Sequence, residues 1–345
     1  MKKCIALFLS FFAFSLHTKA QEGFENILLA DPSDSKKLLQ AYFAPGMEGF
    51  INAMNSGWYH TAKVHKPFGF DISIGASGAA IPSDRDSFDI AALGLVSVSS
   101  TSTTSPTFSG SDNGAQFRVQ RNIRGENVTA DFTAPGGVNL PANLVPAPAV
   151  QLNVGLPGKF EVMARFIPDI SFGDDQDESS LNMFGIGLKK EITNWFGPLD
   201  KTPLHVSLLA AYTSMTVSYG IADITTGPIR TQAALAEFDL SAFTVQAIAS
   251  LNFPIINIYG GFGYNSGNSS YNMTGRYTGV FDTGFPAPND TVEETLIVPS
   301  DLDFESNGVA ATIGARLSLG FFKIYGSYSL QEYNTANLGV AISIR

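Results

Sequence analysis

The chain has 345 residues and a formal net charge of −10, and charged residues make up only 15% of it, well below the roughly 25% of an average soluble domain. Asp and Glu outnumber Lys and Arg by 31 to 21, which excludes the basic face that nucleic-acid binding needs. Few charges combined with 33 Gly and 27 Phe are typical of a protein whose outer surface is not wholly in water.

Residues 1–20 have the layout of a secretory signal peptide. A basic start, Met1-Lys2-Lys3, precedes an apolar stretch from Cys4 to Leu16. That stretch is shorter than the ~20 residues of a spanning helix. Small residues then precede a cleavage point before Gln21. We therefore expect export across the inner membrane. Cleavage removes the single Cys, so disulfide scaffolds, thiol catalysis and cysteine metal sites are excluded.

Residues 21–67 are predicted to form a helical plug. Asp31-Pro32 is a favourable helix start, and Pro45-Gly46 is expected to break the helix in two. The predicted apolar face consists of Phe43, Met47, Phe50, Ile51 and Met54. Helices this short are not stable alone. We expect the plug to dock inside or against the periplasmic mouth of a barrel.

From Phe68 to the C-terminus, residues 68–345, apolar and polar residues alternate with period two. Short turns at 157–158, 252–255 and 320–321 separate strands of about ten residues. Long polar loops cover 97–149, 173–180, 221–231 and 265–303. A soluble β-sandwich would also alternate, but its strands are shorter. The pattern predicts an all-β fold: a transmembrane antiparallel β-barrel of about 12–14 strands with a short helical N-terminal plug.

The polar positions of the alternating strands are predicted to face the lumen. On one strand, Glu161, Arg165 and Asp169 follow each other at i, i+4 and i+8, so all three should point the same way. The other lumen-facing candidates are Lys189, His205, Gln246, Asn257, Arg316 and Lys323. Two interpretations stay open: a salt-bridge lattice that holds the plug, or a ring that filters solutes. The mixture of charge signs favours the lattice. The plug is expected to dock on the few apolar residues among these lumen-facing positions: Met163, Ile167, Leu209, Ile248 and Tyr259.

Motifs that carry enzyme chemistry are lacking. The sequence contains no Gly-x-Ser-x-Gly. His60 and His65 have no third metal ligand at motif spacing. The acidic run at 174–178 lacks the spacing of an EF-hand and is interpreted as a solvated loop. We predict no enzyme activity, no catalytic residue, no metal and no cofactor.

Two stretches carry a resemblance to a known family. They are Pro45–Ser73, with its Asn-x-Gly-Trp-Tyr element, and Gly185–Tyr219, with a Leu-Lys-rich strand and a Leu-x-Val-x-Leu strand. They resemble a family of Bacteroidetes outer-membrane proteins without an established activity. The resemblance implies a compartment and a fold, not a reaction. More distantly, a helical segment ahead of a large barrel resembles the long-chain fatty-acid transporters. That likeness implies diffusion of a hydrophobic compound through a plugged barrel.

Two functions follow as hypotheses. In the first, a plugged outer-membrane barrel passes a small, hydrophobic solute. In the second, a non-transporting scaffold or surface-interaction protein acts through its long external loops. The expected partners are outer-membrane lipid and a hydrophobic small molecule, with no nucleic acid, and we favour a monomer. Short turns should be periplasmic and long loops external.

Overall fold

A computed structural model describes residues 23–138, 140–172, 178–299 and 302–344. Its one long helix is α1, Pro32–Asn55. Short 3-10 helices cover Phe24–Leu29, Ser83–Arg85, Ala91–Leu93, Pro141–Asn143 and Thr193–Lys201. Among the described residues, no helix is both long and apolar enough to cross a bilayer.

The strands, in chain order, are β1 Phe70–Ala80, β2 Ser87–Asp89, β3 Val98–Ser100, β4 Thr104–Pro106, β5 Gln116–Ile123, β6 Glu126–Thr133, β7 Leu144–Leu156, β8 Phe160–Phe172, β9 Ser179–Glu191, β10 Leu204–Ile221, β11 Ile229–Asn252, β12 Ile256–Asp282, β13 Thr291–Thr295, β14 Leu302–Leu319, β15 Phe322–Leu330 and β16 Thr335–Ile344.

Ten of these strands form a closed antiparallel ring. Going around it, the order is β1, β7, β8, β9, β10, β11, β12, β14, β15, β16 and back to β1. Strands β3, β5, β6 and β13 extend the same sheet beyond β12, which brings it to 14 strands. Strands β2 and β4 pair separately. The predicted fold class, an antiparallel barrel with a helical N-terminal segment, is confirmed.

The strand count needs one correction, because the predicted 12–14 strands were assigned to the barrel wall. Fourteen is the number in the whole sheet, whereas the ring contains ten. Two physical reasons account for the difference. Residues between β1 and β7 fold back over the loop end instead of adding wall strands. In addition, β11 and β12 are 24 and 27 residues long, so they use more chain than a spanning strand requires.

The ring has two zones whose side-chain polarity is opposite. In the lower barrel, next to the short turns, outward residues are apolar and exposed, as with Phe243 and Leu251 on β11. In the upper barrel, next to the loops, outward residues of the same strand are polar, and inward ones such as Phe238 and Leu240 are buried and apolar. Along β11 most apolar side chains therefore point inward up to Leu240 and outward from Phe243 onward. The lower barrel has the surface of a membrane barrel and the upper barrel that of a water-soluble one.

Helix α1 runs unbroken through Pro45, so the predicted break into two helices is wrong. Proline removes one intrahelical hydrogen bond, but strands surround the helix and their packing offsets that loss. Gly46 and Gly49 lie within the unbroken helix, and their lack of a side chain lets the helix approach its neighbours closely. A Cβ on Gly46 would lie 2.7 Å from the Phe108 ring, and one on Gly49 would lie 2.7 Å from Val145 Cγ2.

The helix starts at the loop end of the ring and descends into it. Near its start, Asp34 Oδ2 accepts hydrogen bonds from the backbone N–H and the hydroxyl of Ser97 at 2.7 Å. At its end, Asn55 Nδ2 donates to the carbonyl of Ser266 at 3.2 Å. Residues 56–69, the linker, then continue to the short-turn end and enter β1. The plug was expected inside or against the periplasmic mouth of the barrel. The segment does lie inside the ring, but α1 is closer to the loop end, and it is the linker that fills the short-turn end.

Candidate functional site

The linker crosses the lower barrel, where the inner wall is mostly polar. Trp58, Tyr59 and Ala62 are buried against an apolar patch of the wall formed by Met163, Leu209, Ala211, Ile248 and Tyr259. The helix was predicted to dock on four of these wall residues, Met163, Leu209, Ile248 and Tyr259. That prediction is wrong: the linker packs on them instead, because the helix ends above them. Ile167, the fifth, packs in the upper core with the helix.

Arg165 joins the wall to the end of α1. Its Nη1 donates to the carbonyl of Met54 at 3.0 Å, and its Nη2 donates to the carbonyl of Ser56 at 3.1 Å. The guanidinium carbon lies 4.1 Å from the centroid of the Trp58 ring. A cation at the C-terminus of a helix satisfies free carbonyls and opposes the negative end of the helix dipole. Arg165 therefore holds the helix end and the linker together.

A chain of amides leads from Arg165 to Asp71 on β1. Gln151 accepts from Arg165 and donates to the carbonyl of Trp58 at 2.9 Å. Its Nε2 also donates to Asn153 Oδ1 at 2.8 Å, and Asn153 Nδ2 donates to Asp71 Oδ1 at 2.6 Å. Each of these side chains therefore makes at least one hydrogen bond within the chain, as buried polar groups generally do.

Glu161 is the second carboxylate of this network. Its Oε1 lies 2.5 Å from Lys189 Nζ, and its Oε2 lies 2.8 Å from His65 Nδ1. The same Oε2 accepts from the backbone N–H of His65 at 2.9 Å. His65 Nε2 lies 3.2 Å from Ser343 Oγ on β16 and 3.4 Å from Asp71 Oδ2. The linker is thus pinned to both sides of the seam between β1 and β16.

His60 lies between a cation and an anion. Its Nδ1 lies 2.9 Å from Arg316 Nη1, and its Nε2 lies 3.2 Å from Asp71 Oδ2. Because arginine only donates, Nδ1 accepts, which places the imidazole proton on Nε2, toward Asp71. The ring also stacks on Tyr325, with centroids 4.8 Å apart. Burial lowers the pKa of His60, Asp71 opposes the shift, and Arg316 and Lys189 add to it. The neutral imidazole is therefore the form that the fold holds.

Four other predicted lumen residues also face inward. His205 Nδ1 lies 3.1 Å from Glu191 Oε1. Gln246 Oε1 accepts from the hydroxyl of Tyr59 at 3.0 Å. The other two are Asn257, which donates to Thr61 Oγ1 at 3.2 Å, and Lys323, which donates to the carbonyl of Gly320 at 2.6 Å. Lys323 thus lies at the mouth, outside the network.

Asp169 is the exception, and its predicted inward direction is wrong. The register of β8 against β9 shifts between Ile167 and Ile170, so an irregularity interrupts the alternation just before Asp169. The residue is exposed and belongs to the loop end. The predicted acidic run lies largely outside the described residues.

The predicted apolar face of the plug lies in the upper barrel. Phe43, Met47, Ile51 and Met54 are buried in its core, and Phe50 is partly buried against it. Phe43 packs on Phe238, with ring centroids 5.0 Å apart. The interior of the upper barrel is therefore an apolar core built around α1.

Four members of the network were not predicted as site residues: Asp71, Gln151, Asn153 and Glu191. All four lie at inward-facing positions of their strands and were visible in the sequence as alternating polar residues. Trp58 was predicted, together with Tyr59, to anchor the hinge where the plug meets the wall, and there it is buried against the guanidinium of Arg165. Among the described residues, no group of three His, Cys, Asp or Glu side chains is placed to hold a metal ion.

Together, these contacts close the lumen with the protein's own N-terminal segment. The family comparison matches residues 1–344, almost the whole chain. The chain belongs to DUF6588, a family of unknown function. No curated protein matches this member of DUF6588. A Bacteroidetes source and a kinship with fatty-acid transporters stay predictions.

Solved structures similar to this DUF6588 chain are outer-membrane barrels. Ail, the attachment invasion locus protein of Yersinia pestis, is 10% identical with a TM-score of 0.26 over 81% of this chain and 100% of its own. The translocator domain of autotransporter NalP from Neisseria meningitidis is 9% identical with a TM-score of 0.33, over 81% and 90%. The ferric citrate transporter FecA is 11% identical with a TM-score of 0.27, over 81% and 39%. At these values no function is carried across.

Proposed function

We propose that the lower barrel spans an outer membrane and that the upper barrel stands outside it as the part that meets other molecules. The exposed apolar belt of the lower barrel supports the first half, because a closed ring leaves no unpaired strand edge in lipid. In such barrels short turns face the periplasm and long loops the exterior. The basic and apolar start of the sequence agrees with export by a cleaved signal peptide.

We infer that this protein is a surface-interaction barrel rather than an open pore. One observation carries the inference: α1 is part of the apolar core of the upper barrel. Its large buried side chains are Leu38, Leu39, Tyr42, Phe43, Met47, Ile51 and Met54. At about 1.5–3 kcal/mol for each side chain, exposing all seven would cost on the order of 10–20 kcal/mol. Thermal opening of the plug is negligible at that cost.

A lockable plug tests this proposal. The Cβ that a side chain at Gly49 would have lies 3.2 Å from Val145 Cβ, close to the spacing within a disulfide. Once the signal peptide is removed, Gly49→Cys with Val145→Cys contains only these two thiols. We expect no conductance in planar bilayers, whether the pair is oxidised or reduced. Intact cells carrying Asp239→Cys should react with an impermeant maleimide.

Passage of a small hydrophobic solute is the second candidate. It is favoured by the lower barrel, because many contacts between the linker and the wall are hydrogen bonds and ion pairs that water in a channel could replace. A current or solute flux that appears only after reduction of the disulfide would establish this function and contradict the closed barrel. Flux that is unchanged by the lock would point to a leak around the protein, which the disulfide-free chain would share.

A further inference from the structure

Four lysines gather at one corner of the short-turn end. The lysine cluster consists of Lys63, Lys66, Lys159 and Lys190. Backbone contacts bring them together from the linker, the β7–β8 turn and the end of β9. Phe68 N donates to the carbonyl of Gly155 at 2.8 Å, and Glu191 N donates to the carbonyl of Lys159 at 3.0 Å.

The cluster carries excess positive charge. Lys63 and Lys66 are exposed, and Lys159 pairs with Glu191 at 3.3 Å. Of the side chains described at the short-turn end, the carboxylates are Asp71, Glu161 and Glu191, and all three are buried and paired with cations or histidines of the network. Among the side chains that the structure describes at this end, no carboxylate is therefore left to pair with the exposed Lys63 and Lys66. The loop end is the reverse, with exposed Asp239, Asp303 and Glu305.

Aromatic rings accompany these lysines at the edge of the apolar belt. Lys190 Nζ lies 4.2 Å from the centroid of the Phe160 ring, its partner in the β8–β9 register, and donates to the carbonyl of Gly158. Both side chains face outward. A lysine that lies along an apolar surface with its ammonium at the polar edge has the geometry of a membrane interface.

Phe68 adds an independent observation. It has a φ of 63°, in the left-handed region that is unfavourable for a bulky residue, and its side chain is 73% exposed. In water, both the backbone conformation and the exposed ring would be unfavourable. Insertion of the Phe68 ring into a lipid layer would remove its exposure to water, and this explains why an aromatic side chain stands at this position.

We propose that the lysine cluster binds the phosphate of a phospholipid head group in the leaflet at the short-turn end, with Phe68 and Phe160 among the acyl chains. The proposal rests on the membrane location proposed above. Ammonium groups attract anionic head groups by short-range Coulomb forces, and aromatic rings settle at the boundary between head groups and hydrocarbon. The bound chemistry is a phosphodiester attached to a membrane lipid, not a free anion.

The test compares lipids retained by the full-length protein. The protein, purified in an uncharged detergent, is mixed with phosphatidylglycerol or phosphatidylcholine, and retained lipid is counted by native mass spectrometry. The cluster variant is Lys63→Gln, Lys66→Gln and Lys190→Gln. A matched control with the same charge change at the loop end is Lys36→Gln, Arg124→Gln and Arg276→Gln.

We expect the wild type and the loop-end control to retain phosphatidylglycerol preferentially, and the cluster variant to lose about tenfold or more of that retention at low salt. Equal retention by all three proteins would overturn the proposal. Displacement of the lipid by inorganic phosphate or glycerol phosphate at equal concentration would also overturn it, because the site would then be one for soluble anions.

A folding assay separates this proposal from the membrane location. All three proteins should insert from urea into phosphatidylcholine vesicles with the same yield. Failure of the wild type to insert would contradict the membrane location itself. Phe68→Gly provides a second variant, since glycine favours the left-handed conformation. It should unfold no earlier than the wild type yet retain less lipid, and unchanged retention would contradict the role of the ring.

Discussion

Arg165 and Met54 connect the wall of the barrel to the helix inside it: the guanidinium Nη1 on β8 donates to the last-turn carbonyl of α1 at 3.0 Å. One side chain therefore satisfies the helix end and fixes the height of the helix in the ring. The contact lies where the apolar core of the upper barrel meets the polar network of the lower barrel.

Arg165→Met should therefore destabilise the protein. The carbonyls of Met54 and Ser56 would lose their donors in a buried position, and we expect a loss of about 2–4 kcal/mol. The urea midpoint of the protein folded in vesicles measures it. Asp169→Asn, at an exposed position of the same strand, should stay within about 0.5 kcal/mol of the wild type. Equal midpoints for both variants would mean that Arg165 does not hold the helix.

Stability should fall at acidic pH because of His60. Its pKa is lowered in the folded protein, so the unfolded chain binds the proton more readily. The stabilising contribution is complete above the unfolded pKa of about 6.5 and is lost as the pH falls below that value. Urea midpoints across this range measure the slope. Asp71, Arg316, Lys189 and the stacked Tyr325 surround the ring.

Two variants identify the source of that slope. His60→Gln should flatten it, because glutamine does not titrate. Asn257→Ala serves as the control, because it removes a buried polar side chain of the lower barrel that does not titrate, and it should keep the slope. A slope that is unchanged in His60→Gln would contradict the assignment to His60.

The change of polarity along β11 predicts that replacing two phenylalanines five residues apart will lower the stability by different amounts. Phe238 is 5% exposed and packs on Phe43 and Tyr271, so Phe238→Ala should cost about 3–5 kcal/mol by leaving a cavity. Phe243 is 45% exposed on the belt, and Phe243→Ala leaves no cavity. Its cost should be about half as large or less. Chemical unfolding in vesicles compares them, and similar losses would contradict the two-zone description.

A lipid-facing arginine tests the position of the membrane. Ala247 lies near the middle of the apolar stretch of β11 and faces outward, so Ala247→Arg should lower insertion stability by about 2–4 kcal/mol. Asp239→Arg, on the same strand and face but in the upper barrel, should have little effect. If both variants insert like the wild type, the belt is not in lipid.

The alternation of side chains was enough to predict the barrel and the inner face of its strands. Glu161, Arg165 and Lys189 could be assigned to one face because direction alternates along any strand. Asp169 could not, since the irregularity after Ile167 arises from pairing with β9. The inward apolar side chains Phe238 and Leu240 could not be assigned for a different reason. The period continues, but the surroundings of the strand change from lipid to water.

The continuity of α1 was beyond sequence reasoning for a different reason. Pro45-Gly46 is a strong local signal for a break, and only the enclosing strands overcome it. Gly46 shows this, since its missing side chain is the space that Phe108 fills. The contacts of Trp58 with Arg165 and of His60 with Arg316 were also beyond reach, because each joins residues more than a hundred positions apart in the chain.

The seam between β1 and β16 imposes an order on assembly. These strands, the first and last of the ring, pair over ten residues from Phe70 with Ile344 to Ala79 with Thr335. A helix with its side chains is about 10–12 Å wide and cannot enter a ring that has already closed tightly around other groups. Helix α1 must therefore be in place before β16 pairs with β1, so the ring closes around a helix that was synthesised before any of its strands.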